Sequence, residues 1–537
     1  MLTVRILLLS LFLVAPASTP SPTALPNPDV DVRRYTFRLT LSDDTDAIRG
    51  EATLAVRFLA GVDALHLDLA GPARGGAGMT VTAVRSDGAD APFTHENDRL
   101  TIRLEPPAAP DERRTFTIAY EGVPDDGLII SENKFGDRTF FGDNWPDRAH
   151  HWLPTVDHPS DKAICEFIVT APVHYQVVGC GERLEETDLP GELRRTRWRS
   201  TVPMATKVMV IGAARFAVAR VDEVEGVPVE TWVYPQDRDP GFYDYALAER
   251  ILRFFSGHIG PYPYAKLANV QSKTRFGGME NASNIFYAEG SVTGTRQSEG
   301  LLAHEIAHQW FGDSVTEQDW PHIWLSEGFA TYFTQLYMEF TYGHDRLVAG
   351  MRTARDRVLA YARRAPNSPV VDPSITNLMA LLSPNAYQKG AWVLHMLRHE
   401  VGDDVFWDGI RDYYRRYRDG NARTEDFRRV MEEASGRDLA WFFRQWIHRP
   451  GQPHFEGSWR YADGSLTITL RQTQPGPPFR LALEAGIYTG DALLPRIEAL
   501  DVDDSEETFT LPLDAAPSRV VLDPNTWALM TADFSEE

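Results

Sequence analysis

His304, Glu305 and His308, followed after an eighteen-residue gap by Glu327, are the side chains of this chain whose types and spacing best suit chemistry. Two histidines four apart on a helix lie one turn above each other on one face, so they can grip one metal ion. The glutamate between them projects beside that ion. Two neutral imidazoles plus one carboxylate suit zinc and leave a fourth position open for water. A zinc ion held by His304, His308 and Glu327 would lower the pKa of that water and polarise a carbonyl. Glu305 is placed to take the water's proton and pass it to a leaving amine. Ser298 and Glu299 mark a helix start and Gly312 a stop. A second helix beginning near Ser326 would put Glu327 in its first turn.

The rest of the sequence predicts an α+β multidomain chain that positions these groups. Residues 30–217 read as an N-terminal antiparallel β domain, with period-two alternation at 35–41, 52–58 and 115–120 broken by Gly, Pro and Asp clusters. Residues 218–452 change to helical spacing at 243–258, 299–311, 327–342, 385–399 and 424–434, and this mainly helical region carries the metal motif. Strand patterns return at 465–470 and 519–522, which predicts a small C-terminal β domain over 453–537.

The net charge of −22 excludes nucleic acid as a partner, since nothing offsets phosphate repulsion. It serves solubility and tolerates cationic groups such as peptide N-terminal amines. Arg5, the apolar run 6–15 and Ala15-Pro16-Ala17 read as a signal peptide over 1–17, followed by a flexible leader over 18–29. The apolar run is short for a bilayer, so cleavage and export to the periplasm or beyond is expected over an uncleaved anchor, and no stable membrane insertion. Cys165 and Cys180 flank a turn at 171–175. A hairpin about that turn would oppose them as a disulfide; the alternative is two buried free thiols.

Phe276-Gly277-Gly278-Met279-Glu280-Asn281 upstream of the zinc motif resembles the aminopeptidase N and leukotriene hydrolase family of gluzincins. The phrases His308-Gln-Trp-Phe-Gly-Asp and Trp324-Leu-Ser-Glu-Gly-Phe-Ala are similar to that family too. The resemblance implies a thermolysin-like catalytic domain with one zinc ion, and a zinc aminopeptidase acting on peptides with a free N-terminus. It implies that Gly277, Gly278 and Met279 receive the substrate backbone, that Glu280 holds the α-amine, and that Tyr387 donates to the oxyanion. Many relatives carry a further amine contact on a β-domain loop. Counting back from Leu153-Pro154-Thr155-Val156-Asp157-His158-Pro159 lands on Trp145, and a small shift offers Asn144 or Asp143; Asn144 is taken as the candidate. His150, His151 and His158 are expected to be structural or surface residues, and Arg428, Arg429 and Arg444 a solvated face. Only the small β region follows Pro453, where large relatives add a helical domain, so the resemblance implies an open cleft.

Two other functions fit parts of the pattern. A zinc endopeptidase would share the zinc motif, but Glu280 would repel a chain continuing past the site. A catalytically idle peptide-binding protein would need neither Glu305 nor Tyr387. An epoxide hydrolase side activity rests on family analogy alone.

Overall fold

Alternation of Tyr35, Phe37 and Leu39 with Thr36 and Arg38 turns one face of the strand Val30–Thr40 inward, and all three apolar side chains are buried. A register shift between Val32 and Arg34 keeps Val32 on that buried face as well. The computed structural model describes residues 26–73 and 75–537; the signal segment and the leader up to residue 25 lie outside them. Val30–Thr40 lies within a nine-stranded sheet, antiparallel to Ile48–Phe58 and parallel to Lys162–Pro172. That parallel pair departs from the wholly antiparallel sheet expected. The long excursion between residues 40 and 162 supplies the crossover a parallel neighbour needs.

The two cysteines do not face each other across a hairpin. Cys165 lies on Lys162–Pro172, whose sheet neighbours are Val30–Thr40 and Leu193–Arg199. The next strand, Gln176–Gly179, belongs to a different, four-stranded sheet and pairs with Ile211–Ala214. The turn between them changes sheets, and Cys165 and Cys180 are buried free thiols. Burial pushes both thiols up, which keeps them protonated.

A five-stranded sheet opens the region that carries the metal motif. Its order runs Ala217–Val224, Val227–Val233, Leu267–Ser272, Asn284–Ala288 and then the short edge strand Gly278–Met279. Helices follow: α1 (Arg238–Tyr245), α2 (Leu247–His258), α3 (Glu299–His308), α4 (Trp324–Tyr342) and α5 (His344–Ala362) precede a single π-helical turn at Asn385–Lys389. That turn runs into α6 (Gly390–Val401), and α7 (Asp403–Tyr417), α8 (Thr424–Ser435) and α9 (Ala440–Trp446) complete the set. The single helix expected at 243–258 is thus two, α1 and α2. Helix α3 stops earlier than expected because the chain folds back, Gly312 N donating to Val315 O at 2.8 Å. Helices α4 and α6 approach closely at two glycines: a Cβ on Gly328 would stand 2.9 Å from the Gly390 Cα. No helix among the described residues is long and apolar enough to cross a membrane.

From His454 onward strands pack into two sheets of four and three. They are pinned to α6 by His395, whose Nε2 stands 2.9 Å from the Thr526 carbonyl and whose ring stacks on Trp527. Two lysines fix the N-terminal region to the helical one. The Lys162 ammonium donates to the carbonyls of Asp313, Ser314 and Gly420 at 3.0, 2.8 and 3.0 Å. The Lys207 ammonium meets Glu317 Oε1 at 2.6 Å with both side chains buried.

Candidate active site

Leu301, His304, Glu305 and His308 fall at i, i+3, i+4 and i+7 along α3, so one stripe of that helix faces a cavity of about 260 Å³. Helix α4 brings Glu327 to the same cavity from its first turn. The Nε2 atoms of His304 and His308 stand 3.2 Å apart, and Glu327 Oε2 lies 3.4 and 3.3 Å from them. Three donors each about 2.0–2.2 Å from one tetrahedral zinc ion would be separated by about 3.3–3.6 Å. Glu327 Oε2 is buried and accepts no hydrogen bond among the described residues. Two imidazole nitrogens that face each other beside such a carboxylate oxygen are the donor set zinc takes.

The surroundings fix the tautomer. His308 Nδ1 lies 3.1 Å from the Phe311 carbonyl, which can only accept, so the proton sits on Nδ1 and the Nε2 lone pair faces the cavity. Ser326 Oγ stands 3.1 Å from the same Nδ1. Gly312, at φ +120°, makes room for this contact: a Cβ there would lie 2.2 Å from Ser326 Oγ.

Glu305 is buried against the edge strand, and a Cβ on Gly278 would lie 2.4 Å from its Oε1. Burial raises the Glu305 carboxyl well above the usual range; His308 opposes this, and Glu280 and Glu327 add to it. The edge strand pairs with Asn284–Ala288 on one side only, which leaves its other side to the cavity that Gly277, Gly278 and Met279 line. Glu280 follows it; the residue is only 5% exposed, and its Oε1 is buried with no hydrogen-bond partner. Gln309 holds this segment, its Nε2 donating to the Glu280 carbonyl at 2.7 Å and its Oε1 accepting from Ser283 N at 2.8 Å. Sequence reasoning missed Gln309, although it directly follows the second histidine.

Tyr387 reaches the cavity from the π-helical turn, its ring parallel to that of His304 at 6.0 Å. The Gly328–Gly390 contact seats that turn against α4. Burial raises the Tyr387 hydroxyl well above the ordinary phenol range, and Glu327 and Glu280 add to it, so the group stays protonated and able to donate.

Asn144 does not reach the cavity. It is fully buried, its Nδ2 donating to the carbonyls of Thr206 and Met209 and its Oδ1 accepting from Trp152 Nε1 at 2.8 Å. Asp143 is likewise occupied, by Arg148 and by the backbone N–H of Arg275. Trp145 lines the wall instead, edge-on to Phe276 at 6.0 Å, so the ungapped count lands on the residue that faces the cavity. Leu382 closes another side, and no pattern in the sequence marks it. His150, His151 and His158 take other partners, Asp157, Asp125 and Ser160. Arg428 and Arg429 pair with Glu432 and Asp426 on their own helix.

A three-donor metal cluster with a carboxylate beside it and an open cavity in front is the arrangement of a metal-dependent hydrolase. Comparison with known proteins gives the family. Residues 32–208 match the peptidase M1 N-terminal domain and residues 243–446 the peptidase family M1 domain, together most of the chain. The chain belongs to peptidase family M1. It is similar to aminopeptidase N of Streptomyces lividans, 26% identical over 88% of this chain and 63% of that one. It is also similar to a probable aminopeptidase 2 of Sulfurisphaera tokodaii, 25% identical over 70% of this chain and 49% of that one. The chain therefore spans only about half to two thirds of the length of these relatives. The crystal structure of a mutant M1 zinc metallopeptidase from Deinococcus radiodurans superimposes with a TM-score of 0.67 at 25% identity, over 79% of this chain and 95% of that one.

Proposed function

We propose that this chain is a zinc-dependent aminopeptidase that removes N-terminal residues from peptides. Glu280 carries the reading: a buried carboxylate with an unpartnered oxygen, on the wall that also holds the metal cluster. Among the described residues no lysine or arginine lines this cavity, so the cation that completes it comes from the substrate. An α-ammonium group forms a charge-assisted hydrogen bond there, whereas the interior of a longer chain brings no charge.

The free side of Gly278–Met279 accepts an extended backbone as an added strand, which aligns the first peptide bond with the metal cluster. His304, His308 and Glu327 would hold the zinc ion, which supplies Lewis acidity and a more acidic water when bound. Glu305 takes the water's proton and returns it to the departing amine. The Tyr387 hydroxyl donates to the oxyanion, a hydrogen bond that strengthens as charge develops. Replacing Tyr387 with phenylalanine is expected to lower kcat by about 10²–10³-fold while KM and metal content stay near the parent values.

The reading is tested with paired free-amine and N-acetylated aminoacyl p-nitroanilides, with and without chelator. Chelator-sensitive cleavage confined to free amines is expected. Equal cleavage of blocked substrates would instead identify an endopeptidase, and no cleavage by zinc-loaded protein a binding protein. The basic residue, apolar run and small-residue site within residues 1–17 support export to the periplasm or beyond. Fractionation of expressing cells tests that placement, and recovery of uncleaved protein in the cytoplasm would contradict it. Export suits the scavenging of mixed oligopeptides.

A further inference from the structure

Both ends of the turn that carries Tyr387 are tied to the stretch of chain that follows α9. A π turn is wider and less regular than an α-helix, and here Lys389 N donates back to the Pro384 carbonyl at 2.9 Å. At the start of the turn, Asn385 Nδ2 donates to the carbonyls of Ser368 and Pro369 at 2.7 and 3.1 Å. The residues after these, Val370 and Val371, donate their backbone N–H groups to the Ile447 carbonyl at 3.0 and 3.2 Å. At the end of the turn, the Lys389 ammonium donates to the Gly451 carbonyl at 2.8 Å. Lys389 is buried and has no carboxylate partner among the described residues. Burial, with the like charge of Arg449 added to it, pushes its pKa down to about 7. An unpaired ammonium is costly to bury, and an apolar side chain of that length would fill the space without the cost. What the lysine adds is its hydrogen bond to Gly451.

Residues 447–451 lead into the first C-terminal strand, His454–Ala462. Arg449 holds them there, donating to the carbonyls of Pro477 and Pro478 and lying over the Phe479 ring at 3.9 Å from its centre. We propose that Lys389 is a positioning residue for the hydrolysis: its bond to Gly451 sets Tyr387 against the metal cluster and ties that placement to the C-terminal strands. The inference rests on the aminopeptidase reading, in which the Tyr387 hydroxyl donates to the oxyanion. That hydroxyl must meet charge that develops at one point, so a shift of the turn by about 1 Å costs about 10²-fold in rate. Peptide binding, through Glu280 and the edge strand, does not depend on the turn.

Full-length zinc-loaded protein is assayed on a free-amine aminoacyl p-nitroanilide as the parent, Lys389→Met, Tyr387→Phe and the double variant. Circular dichroism and bound zinc are measured for each. Lys389→Met should lower kcat by about 10–10²-fold, leave KM and zinc content near the parent values, and add nothing in the Tyr387→Phe background. An unchanged kcat, or an equal loss in both backgrounds, overturns the proposal. If Lys389→Met does not fold, Gly451→Ala makes the same comparison from the other side, since Gly451 has φ +82° and a side chain there displaces the acceptor. A fluorine label on the Tyr387 ring gives a reading independent of activity. Its resonance should shift or split in Lys389→Met, and an unchanged resonance overturns the positioning role. A parent that cleaves nothing sinks the aminopeptidase reading, and the resonance alone then decides whether Lys389 sets the tyrosine.

Discussion

Substituting Glu305 with glutamine is expected to reduce kcat/KM by about 10²–10⁴-fold, the range for loss of a positioned proton acceptor. The amide keeps the shape of the side chain, so the packing of Gly278 against it persists. The metal donors His304, His308 and Glu327 are untouched, so the zinc ion remains. Activity measured beside metal content separates the two effects: a variant that keeps its zinc but turns over slowly locates the loss in proton transfer. A variant with activity within tenfold of the parent would remove Glu305 from the mechanism. Any free-amine preference that survives in the residual activity belongs to Glu280.

Substituting Lys207 with methionine is expected to destabilise the protein by about 3–5 kcal/mol, because it strands the Glu317 carboxylate in a dry interior. Burial works against the Lys207 charge, but the Glu317 and Glu280 carboxylates outweigh it and raise its pKa, so the ammonium is retained. The lysine stands 6.0 Å from the centre of the Trp320 ring, and no water-filled surface relieves the loss. The double substitution Lys207→Met with Glu317→Leu removes both charges and should recover most of the stability. Urea unfolding of the three variants measures this. A single variant as stable as the parent would mean that Glu317 takes up a proton without cost.

The zinc ligands were legible because their spacing is local: one helix face and the first turn of the next helix bring them together wherever the sheets lie. Gly277 to Glu280 could be named because their roles follow from one contiguous motif that resembles the family's, and the structure lines the cavity with that segment. Asn144 could not be told from Trp145, because adjacent loop residues point opposite ways and only the hydrogen bond from Trp152 to Asn144 shows which of the two is turned away from the cavity. The cysteine hairpin failed for a related reason. A turn shows where a strand ends, but it does not show whether the next strand joins the same sheet. Helices α5 and α7 were missed although each carries a regular stripe, Leu347, Met351, Ala354 and Val358 in one and Phe406, Ile410 and Tyr413 in the other. Those stripes are narrow and surrounded by arginine and aspartate, so the windows read as polar. Lys207 and Glu317 lie far apart in sequence, and nothing local marks either as a partner.

The two family segments meet in sequence like separable modules, yet Lys162 and Lys207 each reach from the first into the second. Genetic excision of residues 243–446 would leave the Lys162 and Lys207 ammonium groups without the three carbonyls and the carboxylate that receive them. Excision of the first segment alone would leave the carbonyls of Asp313, Ser314 and Gly420 and the interior Glu317 carboxylate without their ammonium partners. The pair is therefore an obligate unit of inheritance: a recombination point between residues 208 and 243 is tolerated only when both halves carry matching anchors. Chimeras with other members of the family should succeed or fail on that match rather than on the metal motif.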